Sequence, residues 1–115
     1  MGWWDGHIDN QSSKEVWGLV DDHGGGAVDA KKVKSKTKTP GNIDVDAVKA
    51  VDAIVTIDTH NSWWRLARGN SVTITDDPRN PNNLLISGAV YGKLEKKVES
   101  DWGTPGGNIK YGGYF

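Results

Sequence analysis

The chain has 115 residues, enough for a single domain with one hydrophobic core. Its formal net charge of −1 argues against a dedicated nucleic-acid-binding protein, because such proteins usually carry a strongly basic face. The absence of cysteine excludes a disulfide framework and a thiolate zinc site and indicates no compartment. No apolar run is long enough to span a membrane and no signal peptide is recognisable, so residues 1–115 predict one soluble domain of unknown localisation.

The first part of the chain predicts short strands joined by glycine-rich turns. Residues 1–13 carry Trp3 and Trp4 and are expected to form a flexible tail or an edge strand. Residues 16–21, VWGLVD, predict a short buried strand. The three glycines at 24–26 mark a turn into the next strand.

Alternate lysines in residues 31–39 would share one face of an extended strand. A proline–glycine turn would pair this strand with the next segment and set Lys38 opposite Asp44 and Lys36 opposite Asp46. We therefore expect a solvated, salt-bridged face rather than an anion-binding surface.

Residues 43–57 alternate apolar and polar side chains with a period of two. This period predicts one long or bent strand. A short helix over residues 45–53 is the alternative, although its apolar stripe would have to include Asp52.

A hairpin is predicted between residues 63–66 and 71–74. A two-residue loop would mix polar and apolar side chains on both faces, whereas a three-residue loop with Gly69 in the left-handed conformation gives one apolar face. The second register leaves Trp63 outward beside Arg65. It buries four side chains together: Trp64, Leu66, Val72 and Ile74.

The last part of the chain predicts a loop, a strand and two segments of less certain structure. Residues 76–83 are rich in turn-forming types, and residues 84–91 predict a buried strand with a bulge at its glycine. Residues 93–101 fit a strand or a helix equally well. Residues 103–115, rich in glycine and aromatics, are expected to form a flexible tail or a terminal edge strand.

Together these segments predict a mainly β domain. The fold expected is an antiparallel β-sandwich or flattened barrel of about seven or eight strands with at most one short helix, since short strands alternate with turn signals.

Histidines beside aspartates are candidates for a metal site or for acid–base catalysis. Asp5, His7 and Asp9 would share one strand face and could meet a cation, but such surface pairs are usually only solvated. Asp58 and His60 lie near Ser62 and include the residue types of a catalytic triad, but on a strand they would stand in a row rather than converge. No metal or cofactor is predicted, and a small acid–base enzyme using His60 and aspartates is the least favoured function.

Aromatic side chains beside polar groups favour a binding module. Sugars stack their C–H faces on aromatic rings while their hydroxyls bind carboxylates and amides. The sequence therefore predicts non-catalytic binding of a carbohydrate or other polar ligand, without nucleic acid. Trp17, Trp64 and Trp102 are expected in the core, and Tyr111, Tyr114 and Phe115 offer further aromatic platforms. A homodimer whose interface holds the aromatics is the alternative. The candidate ligand-binding residues are Trp63, Arg65, Asp58, His60, Trp3 and Trp4.

Overall fold

Eleven strands and no helix make up the part of the chain that the structure describes. The computed structural model describes residues 6–21, 28–56, 62–66, 71–88, 95–97 and 109–115. In chain order the strands are β1 His7–Asn10, β2 Val16–Asp21, β3 Val28–Val33, β4 Thr37–Lys38, β5 Ala47–Ala50, β6 Ile54–Val55, β7 Trp63–Arg65, β8 Ser71–Asp77, β9 Asn80–Ser87, β10 Glu95–Lys97 and β11 Ile109–Tyr114. These residues form no helix that could cross a membrane.

The strands form two sheets that pack together. The five-stranded sheet has the order β4-β1-β8-β9-β6, and the six-stranded sheet has the order β10-β7-β5-β2-β3-β11. The predicted β-sandwich is confirmed, with more strands than expected. The sheets are mixed rather than purely antiparallel, because β1 with β8, β6 with β9 and β3 with β11 are parallel pairs.

The main core lies between the two sheets. Side chains of both sheets enter it, among them Ile8 and Val72 from the five-stranded sheet and Val16 and Val48 from the six-stranded sheet. Each fully buried aliphatic side chain contributes about 1.5–3 kcal/mol to folding. The burial of these side chains therefore holds the two sheets together.

The hairpin predicted between residues 63–66 and 71–74 does not form. β7 lies in the six-stranded sheet between β5 and β10, whereas β8 lies in the five-stranded sheet between β1 and β9. The predicted turn falls at residues 67–70, outside the described residues. Trp64 and Val72 still meet in the main core, because side chains of the two sheets face each other across the sandwich.

The predicted pairing of the lysine strand is also wrong. The chain leaves the six-stranded sheet after β3, turns through Lys36 at φ +64°, and enters the five-stranded sheet as β4. Lys38 is in register with Asp9, not Asp44. The Lys36 ammonium donates to the Gln11 carbonyl oxygen at 2.6 Å. The lysines at 32 and 34 are thereby separated from those at 36 and 38.

The two aspartates expected to neutralise these lysines accept backbone hydrogen bonds instead. Asp44 Oδ1 accepts from the Gly6 amide at 2.8 Å, and Asp46 Oδ2 accepts from the Asp21 amide at 2.9 Å. They fix strand ends rather than pair with Lys36 and Lys38.

Two other segments change sheet or pair differently from expectation. Residues 43–57 contain β5 in one sheet and β6 in the other, joined by a bend at 51–53, so the strand is interrupted and the alternative helix is absent. The loop predicted at 76–83 is instead a β8–β9 hairpin that turns at Pro78 and Arg79. The bulge predicted within a strand at Gly88 is wrong: Gly88 lies just after the end of β9 and has φ +88°. Residues 89–91 of the predicted strand lie outside the described residues.

The C-terminal part contains two edge strands. β10 shows that residues 95–97 of the ambiguous segment are extended, and it pairs with β7. β11 is the last strand in the order of the six-stranded sheet, as expected for a terminal edge strand. Its register to β3 shifts between Tyr111 and Tyr114, where Gly113 has φ +77°.

Asn10 is a buried polar residue at the end of β1. Its side-chain amide donates to the carbonyl oxygens of Lys14 at 2.7 Å, Val33 at 3.1 Å and Lys34 at 3.2 Å. Its Oδ1 accepts from the amide of Ser12 at 3.1 Å and from the hydroxyl of Ser12 at 2.7 Å. One side chain thus joins the end of a strand in the five-stranded sheet to the end of β3 in the other sheet.

Gly18 leaves room for an aromatic ring in the main core. A Cβ added at Gly18 would lie 2.7 Å from Cε2 of Phe115 and 3.2 Å from Cδ1 of Ile8. We expect Gly18→Ala to lower the free energy of unfolding by about 1–3 kcal/mol, because the ring must shift to relieve the overlap. Urea unfolding would measure this. Gly41→Ala is the control, since its Cβ would meet no atom within 4 Å. Equal losses in the two variants would contradict the packing explanation.

Candidate binding surface on the six-stranded sheet

A row of alternating aromatic and lysine side chains crosses the outer face of the six-stranded sheet. Trp17 of β2 is in register with Lys49 of β5 on one side and Lys32 of β3 on the other. Lys32 is in register with Tyr114 of β11, and Trp63 of β7 lies beside Lys49. We call these five residues the aromatic–lysine ladder. Residues directly opposite each other on neighbouring strands are close enough to interact.

The lysines of the ladder lie beside aromatic rings. The Lys32 ammonium is 5.3 Å from the ring centroid of Trp17 and 5.7 Å from that of Tyr114. The Lys49 ammonium is 5.8 Å from the ring centroid of Trp63 and 5.6 Å from that of Tyr111. These distances are in the range of cation–π attraction, which contributes about 0.5–2 kcal/mol per pair. The ammonium groups are therefore held on the sheet rather than left to sample the solvent.

Tyr111 packs beside the ladder and is fixed by two tryptophans. Its ring makes an edge-on contact with Trp17 at a centroid distance of 5.0 Å and a tilted contact with Trp63 at 6.2 Å. The Trp63 Nε1–H also donates a hydrogen bond to the Tyr111 hydroxyl at 3.3 Å. Tyr111 nevertheless remains 40% exposed, and Tyr114 is 47% exposed. The two tyrosines are thus exposed aromatic side chains in a defined arrangement.

A second apolar cluster supports this surface. Its buried members come from β2, β3, β5 and β7, and Trp17 and Ile109 pack against it. The buried members are Leu19, Val28, Ala30, Ala47 and Trp63. The outer face of a sheet in a sandwich is usually polar. An apolar outer face is therefore a rigid base for the exposed tyrosines.

Glu15 adds an acidic group near one end of the ladder. Its carboxylate lies 3.7 Å from the Lys32 ammonium and accepts a hydrogen bond from the Tyr114 hydroxyl. This hydrogen bond, with smaller effects of burial and of the Glu15 charge, raises the pKa of Tyr114, and Lys32 opposes the rise. Tyr114 is therefore a neutral hydrogen-bond donor at physiological pH.

The predicted exposure of Trp63 is wrong. Trp63 is 1% exposed and Trp64 is 7% exposed, so both are buried, although they lie on opposite faces of β7 as the alternation predicts. The physical reason is the second apolar cluster, which gives the outer face a core of its own. Trp63 is therefore a buried member of the ladder, and its ring is not accessible to a ligand.

Of the other predicted ligand-binding residues, the structure describes Arg65. Arg65 is exposed, and its Nη1 lies 3.6 Å from Glu95 Oε2 on β10. The remaining four predicted residues lie outside the described residues: Asp58, His60, Trp3 and Trp4. The hypothesis of acid–base chemistry at His60 consequently stays a prediction.

Sequence reasoning missed part of the ladder. Trp17 is predicted to lie in the core, but it is half-buried on the outer face, where it packs against the second apolar cluster. Trp102, predicted with it, lies outside the described residues. The sequence does not connect Lys32 and Lys49 with Trp17. Tyr111 and Tyr114 are exposed as expected, whereas Phe115, predicted as a third platform, packs against the main core. The available signal was the run VWGLV in β2, because a strand with apolar residues at successive positions is covered on both faces.

A concavity lies on the five-stranded sheet. It has a volume of about 320 Å³, and its lining includes His7, Asp9, Lys38, Ser71 and Thr73. The His7 Nδ1 atom is shielded from solvent and has no hydrogen-bond partner among the described residues. In the described part of the chain, no group of three or more His, Cys, Asp or Glu side chains could hold a metal ion.

Comparison with protein-family models, with curated proteins and with solved structures finds no match to this chain.

Proposed function

We propose that the protein is a non-catalytic binding module that holds a carbohydrate on the aromatic–lysine ladder and the neighbouring Tyr111. The observation that carries this proposal is the exposure of Tyr111 and Tyr114 on a sheet face that fixes them. Sugars offer apolar C–H faces to such rings and hydroxyls to charged side chains, and Lys32 and Glu15 lie directly beside Tyr114.

The shape of the surface favours an extended ligand. Trp17, Lys32 and Tyr114 lie on three adjacent strands, and two strand spacings cover about 10 Å. This length accommodates two consecutive sugar rings across the strands. The ladder lies on a sheet face, so the ends of a longer chain can extend beyond it.

Tyr114 provides the direct test of the proposal. We expect Tyr114→Ala to weaken glycan binding about tenfold, because an aromatic contact contributes about 0.5–1.5 kcal/mol beyond the burial of its area. Tyr114→Phe keeps the ring and should retain most of the affinity. Binding would be measured by titrating soluble oligosaccharides and following tryptophan fluorescence, since Trp17 lies in the ladder. Melting temperatures of both variants would show that the fold is unchanged.

The alternative is that this face joins two copies of the chain. Tyrosine and tryptophan are enriched in protein interfaces as well as in sugar sites. A protein that binds no glycan, has the mass of a dimer, and becomes a folded monomer on Tyr114→Ala would contradict the proposal and establish the interface.

A further inference from the structure

We infer that the glycan held at the aromatic–lysine ladder is anionic and carries carboxylate or sulfate groups; this inference rests on the proposed function. The observations that support it are the positions of Lys34, Lys32 and Lys49 relative to the exposed tyrosines. A neutral glycan would need the rings but not three ammonium groups beside them.

Of these three lysines, Lys34 has the side chain most accessible to a ligand. Its Nζ lies 5.1 Å from the ring centroid of Tyr114, and the side chain is exposed. Within the described ranges Lys34 forms no ion pair. A sugar ring on Tyr114 would therefore bring its substituents close to a positive charge that the described part of the fold does not neutralise.

The negative charge of Glu15 does not cancel the positive charge of the lysines beside Tyr114. Its carboxylate is engaged by Lys32 and by the Tyr114 hydroxyl, so part of its negative charge is already compensated. Two lysines, Lys32 and Lys34, lie near the ring of Tyr114 against this one acidic side chain.

The spacing of the lysines favours a ligand with repeated charges. Lys32 and Lys49 flank Trp17 on strands β3 and β5, which are two strand spacings or about 10 Å apart. An acidic polysaccharide repeats its charges along the chain and can reach both positions. A single small acid could reach only one.

Matched pairs of polysaccharides test the charge of the ligand separately from its sugar. We would titrate dextran sulfate against dextran, and polygalacturonate against its fully methyl-esterified form. The charged member of at least one pair should bind at least tenfold more tightly, and the difference should shrink as salt is raised, because exposed charges are screened. The two pairs separate sulfate from carboxylate as the recognised group.

The Lys34→Gln variant tests whether the preference for charged polysaccharides arises at the aromatic–lysine ladder. Loss of one exposed ion pair should weaken binding of the charged polymer about three- to fivefold and leave any binding of the neutral polymer unchanged. Lys38→Gln is the matched control, because Lys38 is an exposed lysine of the five-stranded sheet. Neither lysine is buried, so both variants should fold.

The possible outcomes separate the inference from the proposed function. Equal binding of charged and neutral polymers would overturn the inference and leave carbohydrate binding in place, whereas failure of all polymers to bind would overturn both. Equal loss on Lys34→Gln and Lys38→Gln would overturn it by showing general charge attraction. Tighter binding of a single-stranded oligonucleotide than of either acidic polymer would also overturn it, since stacked bases use the same groups.

Discussion

Replacing Trp63 by alanine should lower the free energy of unfolding by about 3–5 kcal/mol, the usual cost of truncating a large buried aromatic side chain. Trp63 is 1% exposed and packs in the second apolar cluster. The substitution also removes the hydrogen bond and the ring contact to Tyr111 and one cation–π contact of Lys49. Chemical denaturation followed by circular dichroism would measure the loss.

Two further variants show whether the outer face is a true second core. Trp64→Ala removes the neighbouring ring from the main core and should cost a similar amount. Arg65→Ala, on the same strand as Trp63 but exposed, should change stability by about 0.5 kcal/mol or less. A Trp63→Ala protein as stable as the unmodified protein would contradict the burial of Trp63 and restore it as a candidate stacking platform.

Asn10→Ala is the second substitution with a large expected effect. It removes the donors to three carbonyl oxygens and the acceptor of two hydrogen bonds from Ser12. Each buried group left unpaired costs about 1–3 kcal/mol, so the variant should be severely destabilised in urea or thermal unfolding. Asn82→Ala is the control, because Asn82 is exposed on β9.

Asn10→Asp distinguishes lost hydrogen bonds from lost packing. The carboxylate would face carbonyl oxygens in a buried site, so its pKa should rise above the value of about 3.9 in the unfolded chain. The folded variant then binds more protons than the unfolded one between these two pKa values, and its stability should rise as the pH is lowered toward 4. Asn10→Ala should show no such added dependence. Equal pH profiles for the two variants would argue that Asn10 acts only by filling space.

The alternation of apolar residues predicts which side chains share a strand face, but it does not predict which strands are neighbours in a sheet. It correctly places Trp63 and Trp64 on opposite faces of β7 and sends Trp64 and Val72 into one core. It does not determine whether Val72 lies beside Trp64 in one sheet or across from it in the other, because both arrangements bury the same side chains. The wrong hairpin follows from that degeneracy.

The second group of wrong predictions lies where the chain crosses from one sheet to the other. Residues 31–39 have a strand pattern, but the chain crosses between sheets near Lys36, which adopts φ +64° without being glycine or asparagine. Nothing in the local sequence marks that position. The role of Asn10 was equally hidden, because its partner Val33 lies 23 residues away.

The candidate surface could be predicted in part from its residue types. Exposure of Tyr111 and Tyr114 followed from their place in a glycine-rich terminal segment, whereas the ladder required the register of β2, β3 and β5. Trp17, Lys32 and Lys49 are far apart in the sequence. Only the strand order makes them neighbours.

The register shift in β11 has a consequence for how the surface and the core are coupled. In a regular strand, Tyr111 and Tyr114 would point to opposite faces, because they are three positions apart and side chains alternate. The irregularity at Gly113 shifts the inward–outward alternation of the side chains by one position. Both tyrosines therefore reach the outer face, while Phe115 turns inward over Gly18. One backbone defect therefore orients two surface rings and one core ring together, and a change that makes this strand regular would disturb both sides of the sheet at once.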